Sequence, residues 1–459
     1  MDHFDVIVIG AGAGENVVSY ALGQGASVAL VERSLLGGTC LNTGCIPSKM
    51  LIYPADVIRT AREAKAVGVD ATAKPDFRSI MGRMRAFVTQ ERTQSEQQLK
   101  SIESLTLIRE TAEFVGPREL KAGGRTITAP KTVVATGARP LVPPIPGLAE
   151  AGYLDNVTLL ELDEAPGSLI IVGGGYIGCE YGHFFSAMGT KVTIVGRPPV
   201  LLNDEDPEVS DVVTTAFSRY ADVRAGYEAV RFAREGDRKV AYARNTKDGS
   251  MARLEADEVL VALGRRSNSD LLKPEKAGID VDGRGWIKVN QYLETNVPGV
   301  WALGDAIGGR YMFRHTANYQ ADVVSHNMYH DNKIMNDEHA VPHAVYTHPQ
   351  VGHVGMYEAE AKQQGLKVMV GRAKYADTAK GVAMAEEDGL VKVVVEARTG
   401  KILGCSVVGP EAAVLVQQVV YLMNSGEGDL GPLYRTQVIH PALSEVVMRA
   451  FANLEPARE

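Results

Sequence analysis

The sequence predicts an α/β fold, because a strand, a glycine-rich turn, a helix and a second strand follow one another twice along the chain. Residues 4–9 form an apolar β-type run, a helix is predicted over 15–23, and 27–32 form the next strand. The same order recurs at 168–195. Two such mononucleotide-binding motifs, far apart in the chain, imply two Rossmann-like dinucleotide-binding domains.

The remaining regions extend this architecture. Residues 82–100 are predicted to form an exposed amphipathic helix. The Pro-rich stretch 140–147 suits a crossing between domains. From about residue 338, short apolar strands accompany a helix predicted over 411–424. This mixture predicts a third, C-terminal α+β domain.

The composition is that of a globular protein of about two to four domains. The 459 residues are 45% hydrophobic and 23% charged, and the net charge of −8 argues against a nucleic-acid partner held by bulk electrostatics. No uncharged apolar run reaches the roughly 18–20 residues of a membrane span, and the N-terminus lacks the basic region of a signal peptide. Four cysteines are too few for a disulfide scaffold, so we predict a cytosolic protein.

The first glycine turn runs from Gly10 to Glu15. Gly10 and Gly12 allow a tight turn and bring a pyrophosphate close to a helix N-terminus. The position of the third glycine of the fingerprint holds Glu15, with Gly14 beside it, so the helix–strand contact made there must differ. Glu32 ends the second strand, where a carboxylate accepts hydrogen bonds from ribose hydroxyls. Together these residues predict a dinucleotide site.

The second glycine turn, from Gly173 to Gly178, carries the complete fingerprint. At the end of its second strand, where an NAD site carries a carboxylate, the chain has Gly196 and Arg197. An arginine attracts the 2′-phosphate of NADPH, whereas a carboxylate would repel it. The pattern favours NADPH, and NADH is the alternative if Arg197 is simply solvated.

Cys40 and Cys45 are separated by four residues and can close a small disulfide at a helix start. A helix N-terminus stabilises a thiolate, which is the reactive form. Zinc needs about four ligands with tighter spacing, and the chain has no second cysteine pair, so no metal is expected. Cys179 and Cys405 lie in apolar surroundings and are predicted to be buried and inert. Four histidines that could suggest a metal cluster fit no regular helix face and are predicted to be structural: His339, His343, His348 and His353.

Residues 37–49, GGTCLNTGCIPSK, resemble the redox-active segment of the class I pyridine nucleotide–disulfide oxidoreductases, among them dihydrolipoamide dehydrogenase and the glutathione, mercuric and mycothione reductases. Six further segments resemble motifs of this family in the same order: VVATGARP at 133–140, GGGYIGCE at 173–180, VALGRRSN at 261–268, TNVPGVWALGDA at 295–306, YTHPQVGHVG at 346–355 and HPALSE at 440–445. The resemblance covers essentially the whole chain. It implies a FAD-binding domain at 1–145 and 270–336, an NAD(P)-binding domain at 146–269 and a dimerisation domain at 337–459.

The resemblance also implies the parts of a redox site. Cys40 would be the interchange thiol that attacks the substrate, and Cys45 the charge-transfer thiol against the flavin. Lys49 would lie near the flavin and pair with Glu180, since a buried lysine without a partner carries a large desolvation cost. Enzymes of this kind pass electrons between NAD(P)H, FAD and the disulfide, which reduces a disulfide substrate or oxidises a dithiol.

His440 and Glu445, in the segment HPALSE, are similar to the proton-transfer pair of the family. An imidazole that is oriented by a carboxylate can carry a proton to a thiolate. In the family this histidine reaches the disulfide of the other subunit. The resemblance therefore implies a homodimer whose active sites are shared across the two subunits.

The cofactor contacts of the family can be carried over residue by residue. Asp305 would hydrogen-bond the ribityl chain of FAD, and Tyr176 would cover the nicotinamide pocket and swing away when the nucleotide binds. The full set of residues implied to bind FAD or the nucleotide is Gly10, Gly12, Gly14, Glu32, Gly38, Thr39, Lys49, Thr136, Gly137, Gly173, Gly175, Tyr176, Gly178, Glu180, Arg197, Gly264, Arg265, Gly304, Asp305 and Ala317.

Two members of the family compete for the substrate assignment. The segment 45–57, the residue Glu15 and the Gly196–Arg197 pair resemble mycothione reductase. The segments at 173–178, 261–268 and 346–349 resemble dihydrolipoamide dehydrogenase instead. We predict an NADPH-linked reductase of a small disulfide, with an NAD-dependent dihydrolipoamide dehydrogenase, partnered by a lipoyl domain, as the alternative.

Two other hypotheses for the function fit the sequence less well. A mercuric reductase-like enzyme usually carries a second, C-terminal cysteine pair, and this chain ends FANLEPARE without one. A non-catalytic FAD-binding subunit would be expected to lose Cys40, Cys45 or His440, and all three are present.

Overall fold

The computed structural model describes residues 1–457, which form two compact units. The first unit consists of Met1–Ser48, Met81–Leu141 and Gly264–Asp337. The second consists of Lys49–Ile80, Val142–Leu263 and the C-terminal part that begins at Glu338. The C-terminal domain predicted for 337–459 extends two residues beyond the described part. No described helix has the length and apolarity that crossing a bilayer requires.

The first unit is built on a five-stranded parallel sheet. Across the sheet the strands are Val300–Ala302, Lys131–Val134, Val6–Ile9, Val28–Val31 and Leu105–Ile108. Val6 and Val8 pack on one face with the apolar side chains of two helices. Ile7 and Ile9 pack on the other face with side chains of a neighbouring sheet. Burial on both faces accounts for the unbroken apolar run that predicted this strand.

The first unit also contains a four-stranded sheet, a two-stranded pair and several helices. The strands are Asp2–His3, Arg125–Thr128, Glu119–Ala122 and Ala112–Gly116 in sheet order, with Ala138–Pro140 paired to Arg265–Ser267. The helices are Gly14–Gly23, Gly38–Asn42 and Arg314–Tyr329, with 3-10 turns at Ser269–Leu271, Pro274–Ala277 and Gly304–Ala306. The helix Phe77–Lys100, predicted over 82–100, buries Met81, Met84 and Val88 and leaves its polar side chains largely exposed.

The second unit repeats the parallel arrangement. Its four-stranded parallel sheet has the order Asp222–Ala225, Lys191–Gly196, Ser168–Val172 and Glu258–Val261, and a three-stranded antiparallel sheet is formed by Tyr227–Glu235, Arg238–Asn245 and Met251–Ala256. The helix Tyr176–Ala187 begins inside the second glycine turn, as the pattern at 168–195 predicts. Ile170 and Val172 of the parallel sheet share a core with Phe232 of the antiparallel one.

The C-terminal part of the second unit is a six-stranded antiparallel sheet with helices packed on it. The strands are Pro342–Val345, Val351–Gly355, Ile402–Val408, Leu390–Glu396, Val368–Lys374 and Glu455–Pro456 in sheet order. Further helices and 3-10 turns that include residues of the second unit are Cys45–Glu63, Ala64–Val67, Leu148–Ala151, Thr158–Glu161, Pro207–Phe217, Glu358–Gln363, Tyr375–Asp377, Ala379–Ala383, Leu433–Arg435 and Ser444–Ala452. The helix Ala412–Met423, predicted over 411–424, packs Val416 and Val419 against the strands. The predicted α/β fold with a C-terminal α+β region is confirmed.

A buried ionic cluster joins parts of the second unit that are distant in sequence. Lys392 has a side chain only 5% exposed, and its Nζ lies 2.9 Å from carboxylate oxygens of Asp206, Glu208 and Glu358. Arg372 adds a second cation 2.7 Å from Glu208. Burial raises the pKa of Glu208, but the hydrogen bonds from Arg372 and Lys392 outweigh burial and lower this pKa to about 2.

The charge of Glu208 should make the stability of this cluster depend on pH. Because the folded-state pKa lies below the ordinary 4.5, the ionised carboxylate stabilises the fold above pH 4.5, and this contribution is lost as the pH falls towards 2. Glu208 is partly exposed, so solvent screens part of this effect. We expect Glu208→Gln to lower the free energy of unfolding by about 1–2 kcal/mol at pH 7. Calorimetric melting should show a lower Tm for the variant at pH 7 and a shrinking difference below pH 4.5.

The exposed Glu387 offers a matched control. Glu387→Gln should leave the Tm unchanged at both pH values. A deficit of Glu208→Gln that stayed constant down to pH 3 would mean that the charge of Glu208 is not its cause.

Candidate functional site

The first glycine turn is held by close backbone contacts that only glycine allows. Gly10 has a φ of 108°, and a Cβ there would lie 2.3 Å from the carbonyl oxygen of Ala135. A Cβ on Gly14 would lie 2.8 Å from the Cγ1 atom of the buried Val8. Gly14 therefore makes the close helix–strand contact that the third glycine of the fingerprint usually makes. This explains how Glu15 can occupy that position.

Glu15 points towards the segment that leads to the cysteines. Its Oε1 accepts a hydrogen bond from the backbone N–H of Gly37 at 3.2 Å. Burial raises the pKa of Glu15, against the opposing effects of this hydrogen bond and of the nearby Arg314. The next residue, Gly38, lies against the turn itself, since a Cβ on Gly38 would be 2.8 Å from the Cα of Gly12. The turn and the cysteine segment are thus packed together.

A cavity opens beside the first glycine turn, and its lining suits a dinucleotide. Gly10, Glu32, Thr136 and Asn268 all contribute to its wall. The carboxylate of Glu32 already accepts hydrogen bonds from the backbone of residues 11 and 34, which hold it at the end of its strand. The hydroxyl of Thr136 is buried without a hydrogen-bond partner among residues 1–457. A buried polar group of this kind is satisfied when a polar ligand binds, so the residues fit FAD.

Asp305 lies in the short turn Gly304–Ala306, 3.4 Å from the Nε atom of Arg265. Burial raises the pKa of Asp305, and the charge of Arg265 opposes that rise. Gly304 has a φ of 64°, and its N–H donates to the side-chain oxygen of Gln320 in the helix Arg314–Tyr329. A Cβ on Gly304 would lie 3.1 Å from the Cβ of Ala317 in the same helix. Gly137 and Gly264 also have positive φ angles and flank the two-stranded pair.

The two cysteines predicted to be redox-active lie in successive helices. Cys40 is in the short helix Gly38–Asn42, which also carries Thr39, and it is half-buried. Cys45 is exposed and is the first residue of Cys45–Glu63, which we call the cysteine helix. The positive end of this helix dipole lies at Cys45, where it stabilises a thiolate.

The other two cysteines are buried, as predicted. Burial raises the pKa of both Cys179 and Cys405, the latter to about 12. A thiol in this state is neither accessible nor ionised at neutral pH. The chain therefore has two classes of cysteine, and only Cys40 and Cys45 are placed to react with a solute.

Lys49 follows Cys45 by one helical turn and forms an ion pair. Its Nζ lies 2.8 Å from both carboxylate oxygens of Glu180, which is buried on the helix Tyr176–Ala187. The backbone N–H of Tyr346 donates to the same carboxylate at 3.1 Å, and the ring of Tyr346 lies 4.5 Å from Nζ. The carboxylate is thus compensated by one cation and one N–H group.

The second glycine turn repeats the steric constraint of the first. Gly173 has a φ of 120°, and a Cβ there would lie 2.2 Å from the carbonyl oxygen of Ala262. A Cβ on Gly178 would lie 2.0 Å from the carbonyl oxygen of Gly173, so the third glycine is required here. Gly175 precedes the helix, and Tyr176 is its first residue.

The strand registers identify the counterpart of Glu32. In the first motif Ile9 pairs with Val31, and in the second Val172 pairs with Val195. The residue after Val31 is Glu32, and the residue after Val195 is Gly196. A Cβ on Gly196 would meet no atom closer than 3.6 Å, so packing does not require glycine at this position. The adjacent Arg197 is exposed.

His440 and Glu445 form a hydrogen-bonded pair at the start of the helix Ser444–Ala452. The His440 Nδ1 lies 3.0 Å from the Glu445 Oε1, and the N–H of Ala442 donates to Oε2 at 3.1 Å. These two hydrogen bonds lower the pKa of Glu445. The side chain of His440 is 71% exposed in the single chain. The imidazole is therefore oriented on one side and accessible on the other.

In each unit, one residue that was not predicted contacts the predicted site residues. Tyr346 contacts both members of the Lys49–Glu180 pair. Asn268 lines the cavity and donates to the carbonyl oxygen of Thr136 at 2.8 Å. Both lie inside segments whose resemblance to family motifs was recognised, and that position was the signal that could have identified them.

The comparisons with known proteins agree with this geometry. The family model for pyridine nucleotide-disulphide oxidoreductases matches residues 4–321, and the model for the dimerisation domain of the same family matches residues 341–451. The chain belongs to this family. As a pyridine nucleotide-disulphide oxidoreductase it is an enzyme that uses FAD and a nicotinamide nucleotide and acts on sulfur groups, as the sequence predicted.

Relatives with two different activities are similar to this oxidoreductase. Mycothione reductase of Mycobacterium tuberculosis (strain ATCC 25618 / H37Rv) is 34% identical over 99% of this chain and 100% of its own length. Dihydrolipoyl dehydrogenase of Thermus scotoductus is 33% identical over 98% and 97%. Among solved structures, the HOCl-induced flavoprotein disulfide reductase RclA from Escherichia coli has a TM-score of 0.86 and 29% identity, covering 98% of this chain and 99% of RclA.

The Lys49–Glu180 ion pair should be strongly coupled. Lys49→Met leaves the buried carboxylate without its cation, whereas Lys49→Met combined with Glu180→Gln removes both charges. We expect the double variant to be more stable than the two single effects predict, by a coupling energy of about 1–3 kcal/mol. Thermal unfolding of the four FAD-loaded proteins measures this energy, with bound FAD quantified in each. If the stability lost in the double variant equalled the sum of the losses in the two single variants, Lys49 and Glu180 would not be coupled.

Proposed function

We propose that this oxidoreductase reduces a small disulfide with electrons from NADPH, as a mycothione reductase-like enzyme of the cytosol. The observation that carries the proposal is the placement of Cys40 and Cys45 in two successive helices, where Cys40 is half-buried and Cys45, the first residue of its helix, is exposed. The remaining cysteines are buried. A substrate that must reach a thiol from solution can therefore meet only this pair.

The cofactors are assigned to regions of the chain by the same proposal. FAD would bind to residues 1–145 and 270–336, where the first glycine turn, Thr136 and Asp305 lie. The nicotinamide nucleotide would bind to 146–269, against the second glycine turn. Residues 337–459 would form the dimerisation domain. When bound, FAD supplies the two-electron link between the nucleotide and the disulfide.

The cysteines then act in two steps. The thiolate of Cys40 attacks one sulfur of the substrate disulfide, which forms a mixed disulfide and releases one thiolate. His440, held by Glu445, protonates that thiolate. The thiolate of Cys45 attacks the Cys40 sulfur, which releases the second half of the substrate and restores the Cys40–Cys45 disulfide. The second thiolate takes its proton from water, so two electrons leave the dithiol and two thiols are formed from the substrate.

The end of the second strand supports NADPH over NADH. Glu32 in the first motif can accept hydrogen bonds from a ribose, and Gly196 takes its place in the second. Without a carboxylate there, the 2′-phosphate of NADPH meets no repulsion, and the exposed Arg197 adds an attractive charge.

A homodimer with shared active sites is part of the proposal. The C-terminal part of the chain leaves several large apolar side chains exposed, namely Val414, Tyr421, Tyr434 and Ile439. Exposed apolar side chains of this number within the region matched by the dimerisation model suit a protein interface. His440 follows Ile439 directly, so the imidazole would enter a second subunit together with this surface.

One alternative has specific support. The relatives named dihydrolipoyl dehydrogenase match the chain about as well as mycothione reductase does. An NAD-dependent dihydrolipoamide dehydrogenase would use the same cysteines in the opposite direction, with a lipoyl domain as its partner. Rapid anaerobic NAD⁺ reduction by dihydrolipoamide, faster than NADPH-driven reduction of any small disulfide, would establish this alternative and overturn the proposal.

The shared site predicts complementation between two inactive subunits. Cys40→Ser and His440→Ala should each reduce NADPH-driven disulfide reduction by a factor of about 10²–10⁴. In a mixed dimer, one site combines both defects and the other combines an intact Cys40 with an intact His440. Random pairing after co-expression should therefore restore about a quarter of the wild-type activity.

Cys405→Ala is the matched control, because it removes a buried thiol, and it should retain the activity. If His440 acted within its own subunit, the mixed dimers would contain no working site. The absence of any recovery in co-expressed Cys40→Ser and His440→Ala would therefore contradict the shared site.

Nucleotide choice should depend on the residues that follow the second strand. Gly196→Glu combined with Arg197→Ala introduces the carboxylate and removes the cation, so we expect kcat/KM for NADPH to fall by about 10- to 100-fold while that for NADH is kept or rises. Arg398→Ala, which changes an exposed arginine elsewhere in the second unit, should alter neither value. If kcat/KM of the wild-type enzyme were already higher for NADH than for NADPH, the proposed preference for NADPH would be wrong.

A further inference from the structure

A buried polar cluster lies behind the first residue of the second glycine turn's helix. Glu205 is buried, and its two carboxylate oxygens lie 2.7 Å from His343 Nε2 and 2.9 Å from the Tyr357 hydroxyl. The ring of His353 stacks on Tyr357 and lies 5.3 Å from the ring of His343. Although burial raises it, the pKa of Glu205 is held below its ordinary value by hydrogen bonding and by the charge of His343.

One ring of this cluster touches the residue that would cover the nicotinamide. The centroids of Tyr176 and His343 are 5.7 Å apart, and their planes differ by 23°. This is an offset stack, in the range of distances where aromatic pairs attract each other. His343 contacts both Glu205, through its Nε2 atom, and Tyr176, through its ring face, and thereby links the two residues.

We propose that His343 and Glu205 are positioning residues that hold Tyr176 in its resting place and thereby set the affinity for the reduced nicotinamide. The inference rests on the proposed function, because it takes Tyr176 to be the side chain that a nicotinamide ring displaces. Glu205 orients the imidazole, and the imidazole face supports the Tyr176 ring.

The stack on His343 should weaken nucleotide binding, because it favours the position of Tyr176 that the nicotinamide must displace. A contact that stabilises the resting position must be given up when the nicotinamide displaces Tyr176, so it weakens nucleotide binding. Loss of one aromatic stack should therefore tighten binding of the complete nucleotide by about two- to tenfold. A nucleotide fragment that lacks nicotinamide does not displace Tyr176, and its affinity should not change.

The strand that carries His343 also leads to the Lys49–Glu180 pair. His343 belongs to Pro342–Val345, and the next residue, Tyr346, donates its N–H to Glu180. Tyr176 and Glu180 are one turn apart on the same helix. The packing of a single strand end therefore supports both the tyrosine and the carboxylate of that helix.

The test compares two double variants that differ only in one ring. His343→Leu with Glu205→Gln removes the stack without leaving a buried charge, and His343→Phe with Glu205→Gln keeps an aromatic ring. In the FAD-loaded dimer, the NADPH or NADH concentration for half-maximal flavin reduction is measured by anaerobic rapid mixing. Calorimetry gives the Kd of ADP-ribose and its 2′-phosphate, which lack nicotinamide.

We expect two- to tenfold tighter binding of the complete nucleotide in the leucine variant, a value close to wild type in the phenylalanine variant, and unchanged binding of the fragments in both. His183→Asn is the matched control, because this buried histidine of the helix Tyr176–Ala187 pairs with Asp56 at 2.8 Å and stacks on His348. It should leave both affinities unchanged.

Nucleotide binding by the variants tests the role of His343, whereas flavin reduction in the wild-type enzyme tests the proposed function. If both double variants bind the complete nucleotide like wild type, or if fragments and complete nucleotide change equally, the cluster only supports the fold and the inference is wrong. If the wild-type enzyme is reduced by neither nucleotide, the proposed function fails first and the inference fails with it. Variants with a wild-type Tm and FAD content exclude misfolding as the cause.

Discussion

The compensation of the Glu180 carboxylate is the interaction on which much of the second unit depends. A buried carboxylate is tolerated only when cations and N–H groups replace the water it has lost. Lys49 and the N–H of Tyr346 do so here. The cysteine helix, the helix of the second glycine turn and a strand of the C-terminal sheet must therefore converge on one side chain. Within the cysteine helix, this lysine follows Cys45 by one helical turn.

The two glycine turns solve one steric problem in different ways. In both, the first glycine lies against the carbonyl oxygen that follows another strand of the sheet, at Ala135 and at Ala262. The second turn places its third glycine at Gly178, against the turn itself. The first turn moves the glycine by one residue, to Gly14, and uses the vacated position for a glutamate that binds the cysteine segment. A departure from the fingerprint thus becomes a contact between two parts of the site.

Much of the fold was predictable because local patterns act over short distances. Continuous apolar runs predicted the strands that the structure places at Val6–Ile9 and Ser168–Val172, and the glycine turns marked the ends of both. The Lys49–Glu180 pair was predicted from the resemblance, but three other partners were not: Gly37 for Glu15, Tyr346 for Glu180 and Glu205 for His343. Each partner lies more than 20 residues away in sequence, and pairing at that separation is decided by how sheets and helices pack.

The family, the closely spaced pair Cys40 and Cys45, and the absence of a carboxylate at Gly196 could all be read from the sequence, because each depends on residue types at fixed spacing. Only the tertiary structure decided that Gly14 takes over the missing glycine contact, and that Tyr346 joins the Lys49–Glu180 pair. It also decided that His343 lies behind Tyr176. The physical reason is that close contacts and buried charges are properties of three-dimensional packing, which several distant segments must satisfy at once.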